Sequence, residues 1–120
     1  MIPLIAKIFF VSTCNIYFFA VKYEIKFPEI VVKQFILETG NGGCTNCSFD
    51  GNNCFGFYTD HYLKFKNFSE SIKYYKQFQD KYMPKTICTE SEYYNWLIDY
   101  GYASAKNYVP TLKKINIRWN

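Results

Sequence analysis

Apolar residues occupy positions 30–37, interrupted only by Lys33 and Gln34. A helix that is apolar almost all round is typically buried rather than on the surface. Pro28 suits the first turn of such a helix, and Gly40 suits the C-cap that follows its end. The pattern therefore predicts a buried helix that begins at Pro28 and ends near residue 38.

A second helix is predicted to begin at Asn67, because Glu70 stands three residues later in the spacing of a capping box. Pro84 is expected to end it, since proline cannot continue a helix. One face of this helix is rich in large apolar and aromatic side chains and is expected to point inward. That face carries Phe68, Ile72, Tyr75, Phe78 and Tyr82.

Thr89 and Glu92 have the same capping-box spacing and predict a third helix, which Gly101 ends. A last helix is predicted over residues 107–115, where Pro110 is tolerated because it falls in the first turn. The inward side chains of the third helix are expected to be Tyr93, Trp96, Leu97 and Tyr100.

Between the first two of these helices the pattern changes. Residues 40–53 have the Gly, Asn, Cys, Thr, Ser and Asp composition of a loop. Short strands are predicted at residues 54–58 and 62–65, joined by a turn at residues 59–61, and they are too short to form a large sheet. The fold class predicted is mainly α, an α+β domain with a small β-hairpin.

The N-terminal twenty residues are largely apolar with one early lysine, so they could form a signal peptide or a short anchor. Polar residues interrupt the apolar stretch, which is short for a bilayer span. Residues 15–25 fit a helix capped by Ser12 or Thr13 instead, and we favour this structural reading. The chain is therefore divided into an apolar extension at 1–14 and a single domain at 15–120.

Composition narrows the function. Aromatic residues make up 22% of the chain, with 12 Tyr and 12 Phe, which suits a small core together with a groove lined by rings. The net charge of +4 comes almost entirely from lysine, and it fits either solubility or attraction to an anionic polymer. Arg118 is the only arginine and no nucleic-acid-binding motif is present, so a nucleic-acid partner is not predicted.

The cysteines allow three interpretations. Cys44 and Cys47 form a C-x-x-C pair, but the second pair of a typical zinc site is missing. A disulfide in an oxidising compartment is the second interpretation, and free thiols are the favoured one. We predict no metal and no other cofactor, and we read His61, the only histidine, as a turn residue.

Glu38 closes the apolar helix, which is an unusual place for a carboxylate. Burial and the negative end of the helix dipole both favour the protonated form there. A carboxylic acid that keeps its proton near neutral pH suits general acid catalysis. Residue type alone favours the alternative, in which Glu38 points into solvent.

Four segments in order carry a family resemblance. They are PEIVVKQFILETG (28–40), GNNCFGF (51–57), YLKFKNFSESIKYYKQF (62–78) and YGYASAKNYVPTLKKI (100–115). They resemble the glucosaminidase family of peptidoglycan hydrolases, whose pattern is Q-x-x-x-E-[ST]-G, N-[NL]-F-G-[IF], an aromatic-plus-cap helix start and Y-A-x-x-x-x-Y. Cys54 stands where the family usually has leucine. The resemblance spans nearly the whole chain and implies a lysozyme-like fold.

The resemblance also implies cleavage of a β-1,4 glycosidic bond after N-acetylglucosamine, with Glu38 as the general acid. Glycosidases usually need a second carboxylate, for which Asp60 is the first candidate and Asp50 the second. Substrate assistance by the 2-acetamido group would remove that need. The family motif places a tyrosine at Tyr102, whose phenol could bind sugar or stabilise the oxocarbenium-like transition state.

Four further residues are expected to bind substrate or shape the cleft: Gln34, Asn53, Phe55 and Tyr108. Asn53 could hydrogen-bond an acetamido group. For Tyr108 core packing is an equal alternative, and for Phe55 it is the favoured one.

Two rival functions remain open at this point: a lytic transglycosylase, and a wall-binding or phage virion module without turnover. The expected partner is the peptidoglycan glycan strand, with a phage particle or delivery partner also open. Membrane contact is expected only if the N-terminal segment is an anchor. The expected location is the cell wall, in the periplasm or outside the cell, with bacterial or phage origin undecided.

Overall fold

The computed structural model describes residues 11–44 and 47–120. These two ranges contain five α-helices and one 3-10 helix. They are α1 (Thr13–Lys22), α2 (Pro28–Thr39), the 3-10 helix (Ser48–Gly51), α3 (Phe68–Tyr82), α4 (Glu90–Tyr100) and α5 (Tyr108–Lys113). The predicted mainly helical class is confirmed, and the arrangement is compatible with a lysozyme-like domain.

Helix α1 begins at a capping box. The Ser12 side chain accepts a hydrogen bond from the Asn15 N–H, and the Asn15 side chain accepts one from the Ser12 N–H. Ile16 and Ala20 are fully buried, and α1 packs on α2. The helix therefore contributes directly to the core, whereas the rest of the predicted extension, residues 1–10, lies outside the described residues.

The start of α1 is also tied to the end of the chain. The Thr13 hydroxyl donates to the Arg118 carbonyl at 2.6 Å, and the Thr13 N–H donates to Asn120 Oδ1 at 3.1 Å. The N–H of Cys14 donates to the carbonyl of Asn120 at 3.2 Å. These bonds hold the C-terminal residues against the first helix.

Helix α2 is buried as the apolar run predicts. Pro28 stands at its first turn, and Gly40 ends it in the left-handed conformation, with φ +58°. Val31, Val32 and Phe35 have no exposed surface. The helix contacts α1, α5 and the 3-10 helix, so Glu38 in its last turn lies where several elements meet.

The side chain of Asn53 organises the loop that follows. Its Nδ2 donates to the carbonyls of Phe57 and Leu63, at 2.8 and 3.0 Å. Its Oδ1 accepts from the N–H of Phe57 at 3.0 Å and from that of Phe55 at 3.4 Å. One buried amide therefore satisfies backbone groups that a partner strand would otherwise satisfy.

For this reason the predicted strands at 54–58 and 62–65 are wrong. A single antiparallel bridge between Tyr58 and Tyr62 forms in their place. The predicted turn at residues 59–61 lies inside that bridge, and the Thr59 N–H donates to the His61 carbonyl there.

The predicted capping box is complete at the start of α4 but only half formed at the start of α3. Asn67 caps α3 by accepting from the Glu70 N–H, but the Glu70 side chain pairs with Lys73 instead of returning to Asn67. The capping box of Thr89 and Glu92 at α4 is complete. Helix α5 is shorter at both ends than the predicted 107–115.

The prediction that Tyr82 and Tyr100 point inward is wrong. Tyr82 is 46% exposed and Tyr100 is 43% exposed. They lie near the ends of α3 and α4, and their rings pack on each other with centroids 5.3 Å apart. Both line a groove on the surface.

Cys44 and Cys47 form a disulfide, so the favoured interpretation of free thiols is wrong for this pair. Cys14, Cys54 and Cys88 are free. Within residues 11–44 and 47–120, no group of three or more His, Cys, Asp or Glu side chains could hold a metal ion. None of the helices in this part of the chain is both long and apolar enough to cross a membrane.

A chain that begins at Val21 is expected to lose cooperative folding. It lacks the buried side chains of Ile16 and Ala20 and the hydrogen bonds of Thr13. A fully buried large apolar side chain contributes about 1.5–3 kcal/mol, against a total stability of about 5–15 kcal/mol for a domain. Thermal and urea unfolding would measure the loss.

The matched control is a chain that begins at Val11, which keeps α1 and its cap. It is expected to melt cooperatively. Equal cooperative melting of the two shortened chains would show that α1 is dispensable to the fold.

Candidate functional site

Glu38 lies in the last turn of α2 with its carboxyl group partly buried. Burial raises its pKa from 4.5 to about 6, and a hydrogen bond with Tyr108 opposes part of this rise. A carboxyl group with this pKa is protonated in about one molecule in ten at pH 7, far more than at its usual pKa. The site therefore contains a proton donor of the kind that general acid catalysis needs.

Tyr108 connects Glu38 to the core. It begins α5 and is 8% exposed. Its hydroxyl accepts a hydrogen bond from Gln34 Nε2 at 3.1 Å and is bonded on its other side to the Glu38 carboxyl. The phenol therefore stabilises the carboxylate that remains after Glu38 has given up its proton.

Gly56 packs directly against the Glu38 carboxyl. A β-carbon at Gly56 would overlap the carboxylate and come within 2.9 Å of Glu38 Cδ. Gly56 also has φ +71°, a conformation that side chains other than glycine rarely adopt. The glycine in the Asn53-Cys54-Phe55-Gly56 segment thus leaves room for the acid. Gly56 was not among the site residues predicted from the sequence, although it lies in the GNNCFGF segment (51–57).

Tyr102 lies next to Tyr108. Its hydroxyl donates to the Phe55 carbonyl at 2.8 Å, and its ring stacks on that of Tyr108 with centroids 5.7 Å apart. Its pKa is raised well above the usual value, first by burial and then by the charges of Tyr108 and Glu38. The phenol therefore keeps its proton, and this proton is committed to the main chain of Phe55.

A groove of about 720 Å³ opens next to these residues. Gly56 and Tyr102 form part of its wall, so the groove reaches the glycine that packs against Glu38 and the tyrosine that stacks on Tyr108. Most of the remaining wall is aromatic, with Thr59, Gln77 and Lys81 as polar members. The rings come from the loop after Asn53, from α3 and from the end of α4, and include Phe57, Tyr58, Tyr74, Tyr82 and Tyr100.

The aromatic wall can bind the apolar faces of sugar rings, while hydroxyl groups and Lys81 can bind their polar edges. The high aromatic content of the sequence predicted a groove of this kind. Composition could not say which rings would line it.

Three of the predicted substrate-binding residues have no exposed surface: Gln34, Asn53 and Phe55. The amide of Gln34 is bonded to Tyr75 and Tyr108, and the amide of Asn53 is bonded within its loop. The structure therefore does not support direct substrate contact by these three. They position the loop and Tyr108 from inside the fold.

Asp60, the first candidate for a second carboxylate, is exposed in the turn at residues 59–61. His61 Nδ1 lies 2.5 Å from its Oδ1, and this hydrogen bond is the main reason why the pKa of Asp60 is lowered. Asp50 is also exposed, at the 3-10 helix. In the described part of the chain, neither is among the groups that shift the pKa of Glu38.

Comparison with known proteins adds one finding. The sequence model of the family Glucosaminidase, described as mannosyl-glycoprotein endo-beta-N-acetylglucosaminidase, matches residues 18–119. The match includes Glu38, Gly56, Tyr102 and Tyr108. No curated protein and no solved structure gave a significant match.

Proposed function

The chain belongs to the glucosaminidase family, and from this premise we propose that it cleaves β-1,4 bonds of the peptidoglycan glycan strand after N-acetylglucosamine. Membership of the family implies a glycoside hydrolase acting on a glycan. The observation that carries the finer proposal is the partly buried carboxyl of Glu38, with a pKa of about 6, which packs against Gly56 in the wall of an aromatic groove.

In this proposal Glu38 donates its proton to the glycosidic oxygen as the bond from that oxygen to the sugar's anomeric carbon breaks. The departing sugar leaves as an alcohol, and positive charge develops on the ring that remains. Tyr108 donates a hydrogen bond to the newly formed Glu38 carboxylate. The anion is therefore stabilised at the moment when it forms, and water completes the reaction.

A second protein carboxylate is not required in this scheme. A carboxylate of a retaining enzyme lies about 5–5.5 Å from the acid and would raise the pKa of a buried partner by repulsion. Among the described residues, the groups that shift the Glu38 pKa include no carboxylate. Assistance by the substrate's own 2-acetamido group fits this isolation better than catalysis by Asp60.

Tyr102 fits a supporting role in the same scheme. Its proton is committed to the Phe55 carbonyl, so its oxygen can offer only lone pairs to a bound sugar. Lone pairs suit the positive charge that develops in an oxocarbenium-like transition state.

The isolation of Glu38 also favours a second candidate function, lytic transglycosylation. In that reaction a hydroxyl group of the sugar itself attacks, and one protein acid suffices. The fold and the site serve both reactions equally well, so the products must distinguish them.

We further propose that the protein acts at the cell wall, in the periplasm or outside the cell. An insoluble wall polymer is reached only there, and the net charge of +4 favours attraction to an anionic wall. The Cys44–Cys47 disulfide is compatible with an oxidising compartment.

Mass spectrometry of the fragments released from purified peptidoglycan tests the proposed function. Reducing-end N-acetylglucosamine is the expected product. Anhydro-muramic ends would replace the proposal by transglycosylation. No release at all, from a correctly folded protein, would support a wall-binding module.

The pH dependence provides an independent check. Because the protonated form of Glu38 is the active one and its pKa is about 6, kcat/KM is expected to fall as the pH rises through about 6, approaching tenfold per pH unit. Measurements of kcat/KM from about pH 4.5 to 8 on a soluble glycan fragment would show this decrease, the alkaline limb of the pH profile. A profile that is flat across that range would contradict general acid catalysis by Glu38.

A further inference from the structure

A buried chain of hydrogen bonds starts at the turn before α2. Gln79 Oε1 accepts from the Lys26 N–H at 2.9 Å, and Gln79 Nε2 donates to the Lys26 carbonyl at 2.8 Å. The same Nε2 lies 3.0 Å from the Tyr93 hydroxyl, which lies 2.6 Å from the Tyr75 hydroxyl. The first half of the chain thus runs from the main chain of Lys26 to the centre of the core.

The second half continues to Glu38. The Tyr75 hydroxyl donates to Gln34 Oε1, and Gln34 Nε2 donates to the Tyr108 hydroxyl at 3.1 Å. Tyr108 is bonded to the Glu38 carboxyl. Gln34 and Tyr75 have no exposed surface, so water does not offer them other partners.

The direction of each hydrogen bond in the chain, that is, which group donates and which accepts, is fixed. A backbone N–H only donates and a carbonyl only accepts, so the contacts with Lys26 fix the orientation of the Gln79 amide. Gln79 Nε2 must then donate to Tyr93, which leaves the Tyr93 proton for Tyr75. The Tyr75 proton goes to Gln34 Oε1.

The direction persists to the end of the chain. With its oxygen facing Tyr75, Gln34 must turn its NH₂ group towards Tyr108. Tyr108 accepts there, so its single proton is left for the Glu38 carboxyl. Burial raises the pKa of Tyr75 and of Tyr108 well above the usual value, so both phenols stay protonated while Glu38 titrates.

We propose that Tyr75 is a positioning residue for the reaction, because it holds the Gln34 amide in the orientation that makes Tyr108 a donor to Glu38. The inference rests on the proposed role of Glu38 as the general acid. Without the Tyr75 hydroxyl the Gln34 amide can turn over and accept the Tyr108 proton. Tyr108 would then face Glu38 with lone pairs, which stabilise the protonated carboxyl and not the carboxylate.

The other groups that face Glu38 do not supply this effect. Tyr102, from the segment after α4, has given its proton to the Phe55 carbonyl. Gly56, from the loop before α3, has no side chain. Tyr108 from α5 is the one donor to the Glu38 side chain among the groups that shift its pKa in the described part of the chain.

The test is to measure the Glu38 pKa by carbon-detected NMR titration of labelled protein. Tyr75→Phe is expected to raise it by about one pH unit, a tenfold change in proton affinity. In a Tyr108→Phe background the same substitution is expected to change nothing, because the chain is already cut. The alkaline limb of the activity profile should move upward with the pKa.

Tyr94→Phe is the matched control, since Tyr94 is a buried tyrosine whose hydroxyl contacts Lys33 and lies outside the chain. It is expected to leave the Glu38 pKa unchanged. An unchanged pKa in Tyr75→Phe, or an equal change in both backgrounds, would overturn the proposal.

A second variant covers the case in which the first does not fold. If Tyr75→Phe does not fold, Tyr93→Phe cuts the chain one step earlier and is expected to raise the pKa in the same direction. The NMR titration needs no turnover, so it tests the hydrogen-bonded chain separately from the proposed glycosidase function. A protein without glycosidase activity but with the expected pKa changes would refute the proposed function and retain the hydrogen-bonded chain.

Discussion

Replacing Glu38 with glutamine is expected to remove turnover while the fold is kept. Glutamine has nearly the same shape and can still accept the hydrogen bond from Tyr108, but it has no proton of suitable acidity to donate. Loss of a general acid slows catalysis by about 10²–10⁴-fold. Release of soluble fragments from purified peptidoglycan would measure the loss.

The stability of this variant provides its internal control. Folding raises the pKa of Glu38 above its value of 4.5 in the absence of structure, to about 6. Its contribution to the free energy of unfolding is therefore fully present below pH 4.5 and is lost as the pH rises through about 6. Glu38→Gln is thus expected to melt at least as high as the parent at about pH 7.5, with any advantage gone at about pH 4.

An inactive variant that is also unfolded would say nothing about catalysis, and the melting curves exclude that reading. A folded Glu38→Gln protein that keeps most of its activity would refute the assignment.

Tyr102→Phe is a useful companion variant, because it removes only the hydroxyl that donates to the Phe55 carbonyl. It is expected to lower the melting temperature as well as the rate, since it leaves a buried acceptor without its donor.

Gly56→Ala is expected to have the second largest effect. The added methyl group would overlap the Glu38 carboxylate, so the acid or the loop must move. A displacement of about 1 Å at a catalytic group can reduce the rate about 10²-fold. The crowding costs about 1–3 kcal/mol of stability and the left-handed backbone about 1–2 kcal/mol. Fragment release and thermal melting would measure the two losses.

Gly40→Ala is the matched control. Gly40 also has a left-handed backbone, with φ +58°, but a β-carbon there meets only ordinary contacts with Cys44 at 3.9–4.0 Å. It is expected to lose about 1–2 kcal/mol of stability and to keep most of the activity. Equal losses of activity in the two alanine variants would show that backbone strain, and not the contact with Glu38, explains the importance of Gly56.

Much of the helical framework follows from the sequence because its signals are local. Ser12, Asn67 and Thr89 each bond to a backbone group a few residues away, and Gly40 and Gly101 end their helices by their own conformation. These outcomes depend on near neighbours, so the pattern of polar and apolar positions suffices. For Glu38 the helix end indicated effects that favour its proton, but residue type alone favoured a solvent-facing side chain, and burial in the folded chain is the main cause of its raised pKa.

Local patterns failed where a residue had more than one possible environment. The strands predicted at 54–58 and 62–65 have suitable residue types, but the amide of Asn53 takes up the backbone groups of their loop. Tyr82 and Tyr100 fall on apolar helical faces, yet these ends of α3 and α4 border the groove. In both cases a tertiary feature that the periodicity does not show, the Asn53 amide or the groove, determined the local structure or exposure.

By itself the sequence predicted the helices, most of their caps, the family and Glu38 as the candidate acid. The tertiary structure alone decided what surrounds that acid. Gln34 and Tyr108 are 74 residues apart, and Tyr102 and Phe55 are 47 residues apart. Spacing along a chain predicts which side chains share a helical face, because the helix repeats regularly. It does not predict which distant side chains meet after the helices pack, and those meetings set the proton affinity of Glu38.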